Sequence, residues 1–198
     1  MYIPPHFAET DPEVLHALIR AHPLGTWVVP DGDTLVVNHI PFLWREDGML
    51  VGHVARANDV WQRLGAESVV VFQGAEAYIT PSWYAAKREH GKVVPTWNYA
   101  VVHAHGIPRA IEDRDWLYAL VTALTDSQES RRAAPWKVTD APDEYVRATL
   151  GAIVGIEMPV TRLVGKWKSS QNRSEADRAG VAAGLADPTD LVRPPRKG

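Results

Sequence analysis

Three short stretches concentrate the side chains that could bind or react: Asn38-His39-Ile40-Pro41, Gly52-His53-Val54-Ala55-Arg56-Ala57-Asn58 and Pro95-Thr96-Trp97-Asn98-Tyr99. Each falls near the end of a predicted strand, where such a density of polar and aromatic groups is hard to explain by packing alone. Arg56 lies just past a strand end and Asn58 at the start of a short predicted helix. A guanidinium and nearby backbone N–H groups can together receive an anion. A solvated arginine in a turn accounts for the same residue. A second cationic window holds Lys168, Gln171 and Arg173, within residues 162–178 that carry five Lys/Arg against two Asp/Glu. That balance suits one phosphate, and a charge cluster capping a helix suits it as well.

Pro41 interrupts an extended run, and because proline donates nothing to a ladder it frees neighbouring backbone groups to face a ligand. An edge strand or a bulge explains it too. Trp97 and Tyr99 share one strand face and could cover a flat ring, although aromatic residues two apart also build barrel cores. His103 and His105 share a face in the same way. A His-x-His pair holds a metal only when a third ligand converges, and no Asp or Glu lies between Thr96 and Arg109, so histidines bonded within the sheet or at a dimer contact are expected and no metal site is assigned. No catalytic acid, base or nucleophile is singled out.

Several signatures are absent: there is no Walker loop, no Gly-x-Gly-x-x-Gly, no His-Glu-x-x-His and no Gly-x-Ser-x-Gly. The absence of cysteine removes disulfides, iron–sulfur clusters, thiolate zinc sites and Cys nucleophiles. A formal charge of -3 argues mildly against a nucleic-acid binder, and residues 109–145 are acidic, with five Lys/Arg against eight Asp/Glu. No window has the apolar length of a membrane span, and the opening residues lack the basic flank and apolar run of a signal peptide, so a cytoplasmic protein without membrane contact is expected.

The elements that must position these residues read as a meander of short strands followed by helices. Thr10-Asp11-Pro12-Glu13 has capping-box spacing before apolar Val14, Leu15, Leu18 and Ile19, which predicts a short amphipathic helix. Strands are expected over 25–29, 34–44, 49–54, 68–72 and 75–80, with turns at Pro30-Asp31-Gly32-Asp33 and Arg45-Glu46-Asp47-Gly48 and a bulge at Gln73-Gly74. Asn58 caps a brief helix through Leu64, and an aromatic, charged loop over 81–92 leads to a long bent strand over 93–107. Helices follow over 113–124 and 141–150, a strand over 153–164, and a last helix from Ser174. The pattern is α+β, dominated by an antiparallel barrel with peripheral helices, in one domain over 1–185 with a flexible tail over 186–198.

At this point the sequence resembles a known family. Tyr78-Ile79-Thr80-Pro81-Ser82-Trp83-Tyr84, Gly91-Lys92-Val93-Val94-Pro95-Thr96-Trp97-Asn98-Tyr99 with Ala100-Val101-Val102-His103-Ala104-His105-Gly106, Gly165-Lys166-Trp167-Lys168 and Gln171-Asn172-Arg173-Ser174-Glu175-Ala176-Asp177 resemble the PaiB family of FMN-binding negative transcriptional regulators, with Ser169-Ser170 where Leu-Ser is expected. The resemblance runs from Met1 to about Leu185. It implies a split β-barrel similar to pyridoxamine-phosphate oxidases, binding FMN at the interface of a homodimer. FMN needs cations and N–H donors for its phosphate, hydrogen bonds for its ring edge and apolar or aromatic cover for its faces. The cofactor set implied is Asn38, His39, Ile40 and Pro41, then His53, Val54, Ala55, Arg56 and Asn58, then Trp97, and finally Lys168, Gln171 and Arg173. By the resemblance Arg56 is the preferred phosphate anchor and the Lys168 window the second. A redox-active flavoprotein, open to an FMN-dependent oxidoreductase, or an indirect regulator of transcription is expected. Two further readings are a haem enzyme related to piperazate synthases, with a histidine as axial ligand, and a direct DNA-binding regulator, which the acidic helical segment disfavours.

Overall fold

Short strands joined by tight turns need partners beyond their neighbours in sequence, and the pairing in a computed structural model, which describes residues 1–186, supplies them. Residues 187–198, nearly all of the expected tail, lie outside the described residues. The elements run β1 (Ala8–Glu9), α1 (Pro12–Ala21), β2 (Leu24–Asp31), β3 (Thr34–Trp44), β4 (Met49–Ala55), β5 (Ser68–Ile79), α2 (Ala86–Glu89), β6 (Thr96–Gly106), β7 (Arg109–Ile111), α3 (Arg114–Glu129), α4 (Asp143–Gly151), β8 (Ile153–Lys168) and α5 (Glu175–Ala186). The hydrogen-bonded order is β1-β8-β4-β3-β2-β5-β6, with β7 on β8 and β8 also pairing β6, so the ladder returns on itself as an antiparallel split barrel. The class is α+β. Among the described residues no helix is long and apolar enough to cross a membrane.

Two compact units share three of these strands. One comprises Asp11–Phe72 and Val102–Val164. Its α1 is capped by Asp11, whose carboxylate accepts from Glu13 N at 3.0 Å; the expected Thr10–Glu13 pair is displaced by one residue because Asp11 already satisfies that donor. α1 buries Leu15, Leu18 and Ile19, while Trp27, Phe42 and Phe72 meet edge to face with ring centroids 6.3 and 6.1 Å apart. Trp27 Nε1 donates to Ser68 Oγ at 2.9 Å, so the buried indole keeps its hydrogen bond. α3 opens on Asp113, which accepts from Trp116 N at 2.7 Å, and runs five residues past the expected Leu124. It seats on β8 at Gly155, where an added Cβ would stand 2.3 Å from the Trp116 ring.

The other unit comprises Met1–Thr10, Gln73–Val101 and the chain from Gly165. Its core is Ile79, Tyr84 and Val181, with Trp83 and Val93 packed against them. Gly184 of α5 lets the Trp83 ring approach to where a Cβ would be only 2.3 Å away. The loop expected over 81–92 contains a 3-10 turn, Pro81–Trp83, and the single helical turn α2, whose Ala86 N donates to the buried Asp177 at 3.0 Å.

Candidate functional site

Period two decides what β3 can offer. Its register with β2 pairs Thr26 with His39, Val28 with Val37, Pro30 with Leu35 and Leu24 with Pro41, and these residues form the outer row. Leu35, Val37, His39 and Pro41 are exposed there. Asn38 pairs with fully buried Trp27 and Ile40 with Gly25, so those two face the core. The four expected β3 residues thus divide between faces. Asn38 Oδ1 accepts from Asn58 Nδ2 at 2.7 Å, and Asn58 Oδ1 accepts from Val60 N at 3.2 Å, tying β3 to the 3-10 turn Asp59–Gln62 that replaces the longer helix expected there. Among the described residues Asn38 Nδ2 is buried without a partner.

β4 continues the outer row. Phe42 pairs with Gly52, which places Pro41 and His53 side by side one position on, while Val54 is buried and can offer only its backbone; Ala55 is exposed. Burial holds the His53 imidazole below the usual histidine value of 6.5, and its Nδ1 is enclosed with no partner. Pro23, Leu24, Pro41 and His53 form the sheet side of a cleft of about 550 Å³; Val121, Leu124, Thr125 and Gln128, one face of α3, form the other, and Trp136 its rim.

Arg56 is fixed by its surroundings. Its Nε donates to Gly151 O at 3.0 Å, one terminal nitrogen to Ile153 O at 3.3 Å and the other to Glu112 Oε2 at 2.6 Å, with the guanidinium 5.8 Å from the Trp61 ring centroid. Three of five N–H groups are engaged and two remain. Asn58 N is bonded to Ala55 O at 2.9 Å and Val60 N to Asn58, so two of the backbone donors expected near Asn58 already have acceptors.

In the other unit Trp97 stands exposed rather than in a core, edge to face with Tyr78 at 5.9 Å. Lys168 Nζ donates to Thr96 Oγ1 and, at 2.7 Å, to Trp97 O; burial pushes its ammonium below the usual lysine value, opposed by Tyr99 and reinforced by Lys166 and Arg173. Gln171 is turned onto its own loop, accepting from Ser169 N and donating to Trp167 O, both at 2.7 Å. Ser170, in the same loop and left-handed at φ 65°, accepts through its Oγ from Asn98 Nδ2 of β6 at 3.0 Å. Arg173 lies 4.8 Å over the Tyr84 ring, and among the described residues its guanidinium has no hydrogen-bond acceptor.

His103 and His105 are held low by burial, and Glu67 lies 3.8 Å from His105; among the described residues no group of three or more His, Asp or Glu gathers to hold a metal. Sequence reasoning missed Glu112 beneath Arg56, Tyr84 beneath Arg173 and the α3 wall of the cleft. The last left one trace, the 121, 124, 125, 128 spacing of a helix face.

The unit that holds β3 and β4 offers a fixed cation, an exposed strand row and guanidinium N–H groups with spare capacity, a set that suits a phosphorylated planar ligand. The chain matches the family described as "Putative FMN-binding domain" over residues 1–162. A relative, the protease synthase and sporulation protein PAI 2 of Bacillus subtilis, is 33% identical over 186 residues, with 91% of this chain and 87% of that protein covered. The structure of an FAD and heme binding protein from Mycobacterium smegmatis is similar with a TM-score of 0.65 at 20% identity, covering 89% of this chain and 80% of that one. The flavocytochrome Anf3 from Azotobacter vinelandii gives 0.61 at 16% identity, with 87% and 75% covered. At such identities these two establish the shared fold. With the family match spanning both the β3–β4 segment and the Pro95–Tyr99 motif, and the Bacillus relative aligned along most of its length, the chain belongs to the PaiB-type family of FMN-binding split-barrel proteins.

Proposed function

We propose that this protein is a flavoprotein that binds FMN in preference to FAD, as a homodimer with the cofactor at the subunit interface. The observation that carries the reading is Arg56, held rigid by two backbone carbonyls at the start of β8 and, among the described residues, retaining two free N–H groups. His39 and Pro41 of the β3 outer row, with the backbone of Ile40, Val54 and Ala55, would hold the ring, and Arg56 would hold the phosphate. Glu112 is no obstacle, since an exposed ion pair contributes only about 0–1 kcal/mol and yields to a doubly charged phosphate. The alternative phosphate anchor is Arg173, whose guanidinium has no hydrogen-bond acceptor among the described residues, together with Lys168 in the other unit, where Trp97 offers an exposed ring face.

Bound flavin would supply hydride or electron transfer, and the chain's own residues supply position and electrostatics. The exposed Leu35 and Val37 on the same row give a self-complementary apolar strip suited to a two-fold interface. Any influence on transcription runs through the state of the ligand. α3 and α4, which lie within the acidic stretch 109–145, are separated by residues 130–142, which does not suit reading of DNA. A haem reading would need a histidine as axial ligand, and His53 Nδ1, unpartnered among the described residues, has no exposed surface to offer one. Calorimetric titration with FMN, FAD and riboflavin tests the proposal: FMN should bind most tightly, and tighter binding of FAD would refute the site as drawn.

A further inference from the structure

We infer that the cleft beneath α3 receives the pyrimidine edge of the flavin, and that Gln128 of α3 reads the imide of that edge through paired hydrogen bonds; the inference rests on the flavin reading above. The volume of about 550 Å³ falls within the roughly 300–1,000 Å³ of small-molecule pockets. Its two walls differ in character. On the sheet side Pro23, Leu24 and Pro41 are apolar, and Leu24 is left 62% exposed although it is a large hydrophobic side chain. The helix side carries Thr125 and Gln128 beside Val121 and Leu124. One apolar wall and one hydrogen-bonding wall suit a flat ring system with apolar faces and a polar edge. Pro41 belongs both to this cleft and to the outer row of β3, so a ring held by that row has α3 within the same cavity.

Both polar side chains of the helix wall have capacity to spare. Among the described residues the Gln128 side chain makes one long bond, from Nε2 to Ser127 Oγ at 3.4 Å, which leaves its Oε1 and its other N–H unused. The Thr125 hydroxyl has no partner among the described residues, whereas Thr122 of the same helix donates its own back to Tyr118 O at 2.8 Å. A flavin imide sets one N–H between two carbonyl oxygens. A carboxamide meets it with both of its functions, Oε1 accepting from the imide N–H and Nε2 donating to a neighbouring carbonyl, and the Thr125 hydroxyl can donate to a further oxygen. Glu129, the carboxylate on the same wall, does not compete for the imide N–H, because it already accepts from Arg132 Nε at 2.9 Å and from Trp136 N at 3.1 Å. The second of these bonds fixes Trp136 at the rim, where its indole is 48% exposed and a bound ring gives it cover.

The test is calorimetric titration of the parent and of Gln128→Leu with FMN and with its imide-methylated analogue, 3-methyl-FMN, which has no imide N–H to donate. The parent should bind FMN about two- to tenfold more tightly than 3-methyl-FMN, and Gln128→Leu should weaken FMN by about the same factor and abolish the preference. Gln128 is exposed and leucine is a good helix former, so the variant should keep its fold. Proton NMR of bound FMN gives a second reading on the same pair of proteins. The imide N–H should be protected from exchange with water in the parent and lose that protection in Gln128→Leu. A parent that binds FMN and 3-methyl-FMN equally, or a variant that keeps the parent's preference and protection, overturns the inference and leaves the flavin reading intact. A parent that binds neither flavin overturns the flavin reading, and this inference with it.

Discussion

Replacing Arg56 by alanine should weaken FMN and leave riboflavin nearly untouched. A charge-assisted phosphate contact is worth about 1.5–3 kcal/mol, and to make it Arg56 must loosen its pair with Glu112, worth at most about 1 kcal/mol because Arg56 is 39% and Glu112 57% exposed. The net loss is about 0.5–3 kcal/mol, or about two- to 160-fold in affinity. Glu112→Gln should act the other way. With the competing carboxylate gone, FMN should bind up to about fivefold more tightly, again with riboflavin unchanged. Arg56 also bonds Gly151 O and Ile153 O, so alanine removes two structural hydrogen bonds at the start of β8, at about 0.5–1.5 kcal/mol each. Riboflavin is the control that separates this damage from loss of the anchor, since a loosened β8 would weaken both ligands. Calorimetry on the parent and the two variants decides. Unchanged FMN affinity in Arg56→Ala, or weaker FMN binding in Glu112→Gln, would refute the reasoning and move the phosphate to Arg173 and Lys168.

Three further outcomes follow from packing and charge. His53, His103 and His105 are all held below the usual histidine value by burial, so the unfolded chain takes up more protons as pH falls through about 6.5; stability should be complete above that pH and decline below it, and His53→Phe should flatten the decline in thermal unfolding followed from pH 7.5 to 5. A parent whose unfolding temperature does not change over that range would contradict this. Gly155→Ala should cost about 1–3 kcal/mol in urea unfolding, because the new methyl would meet the Trp116 ring; a neutral result would mean that α3 is not seated as described. Val37→Glu alters a side chain exposed in the single chain and should barely change its stability, yet it should turn a dimer into a monomer in sedimentation. A parent chain that sediments as a monomer with FMN bound would sink the two-chain site.

Local signals carried much of the fold. The cap at Asp11, the turns around Gly32 and Gly48, and the helix start at Asp113 follow from one or a few neighbouring residues and stand close to where they were expected. β1 and β7, two and three residues long, have no period of their own and exist only through pairing with β8, more than forty residues away in each case. The candidate site shows the same division. Asn38, His39, Arg56 and Asn58 were visible as types, and the Asn38–Asn58 bond joins two of them, but only the pairing with β2 reveals that Asn38 faces inward and His39 outward. Trp97 could equally have belonged to a core, and what separates the two readings is its exposure. Glu112 stands 56 residues from Arg56, and Tyr84 beneath Arg173 is still more distant in sequence. Contacts of that span leave no local pattern.

The most direct test of the central claim is the absorption spectrum of the native protein, followed by mass spectrometry of whatever ligand it releases on denaturation. The account predicts the two visible-region bands of an oxidised flavin, with the mass of FMN released at one molecule per chain after reconstitution. A Soret band from fully loaded protein, or a chain that takes up no flavin when FMN is supplied, would contradict it.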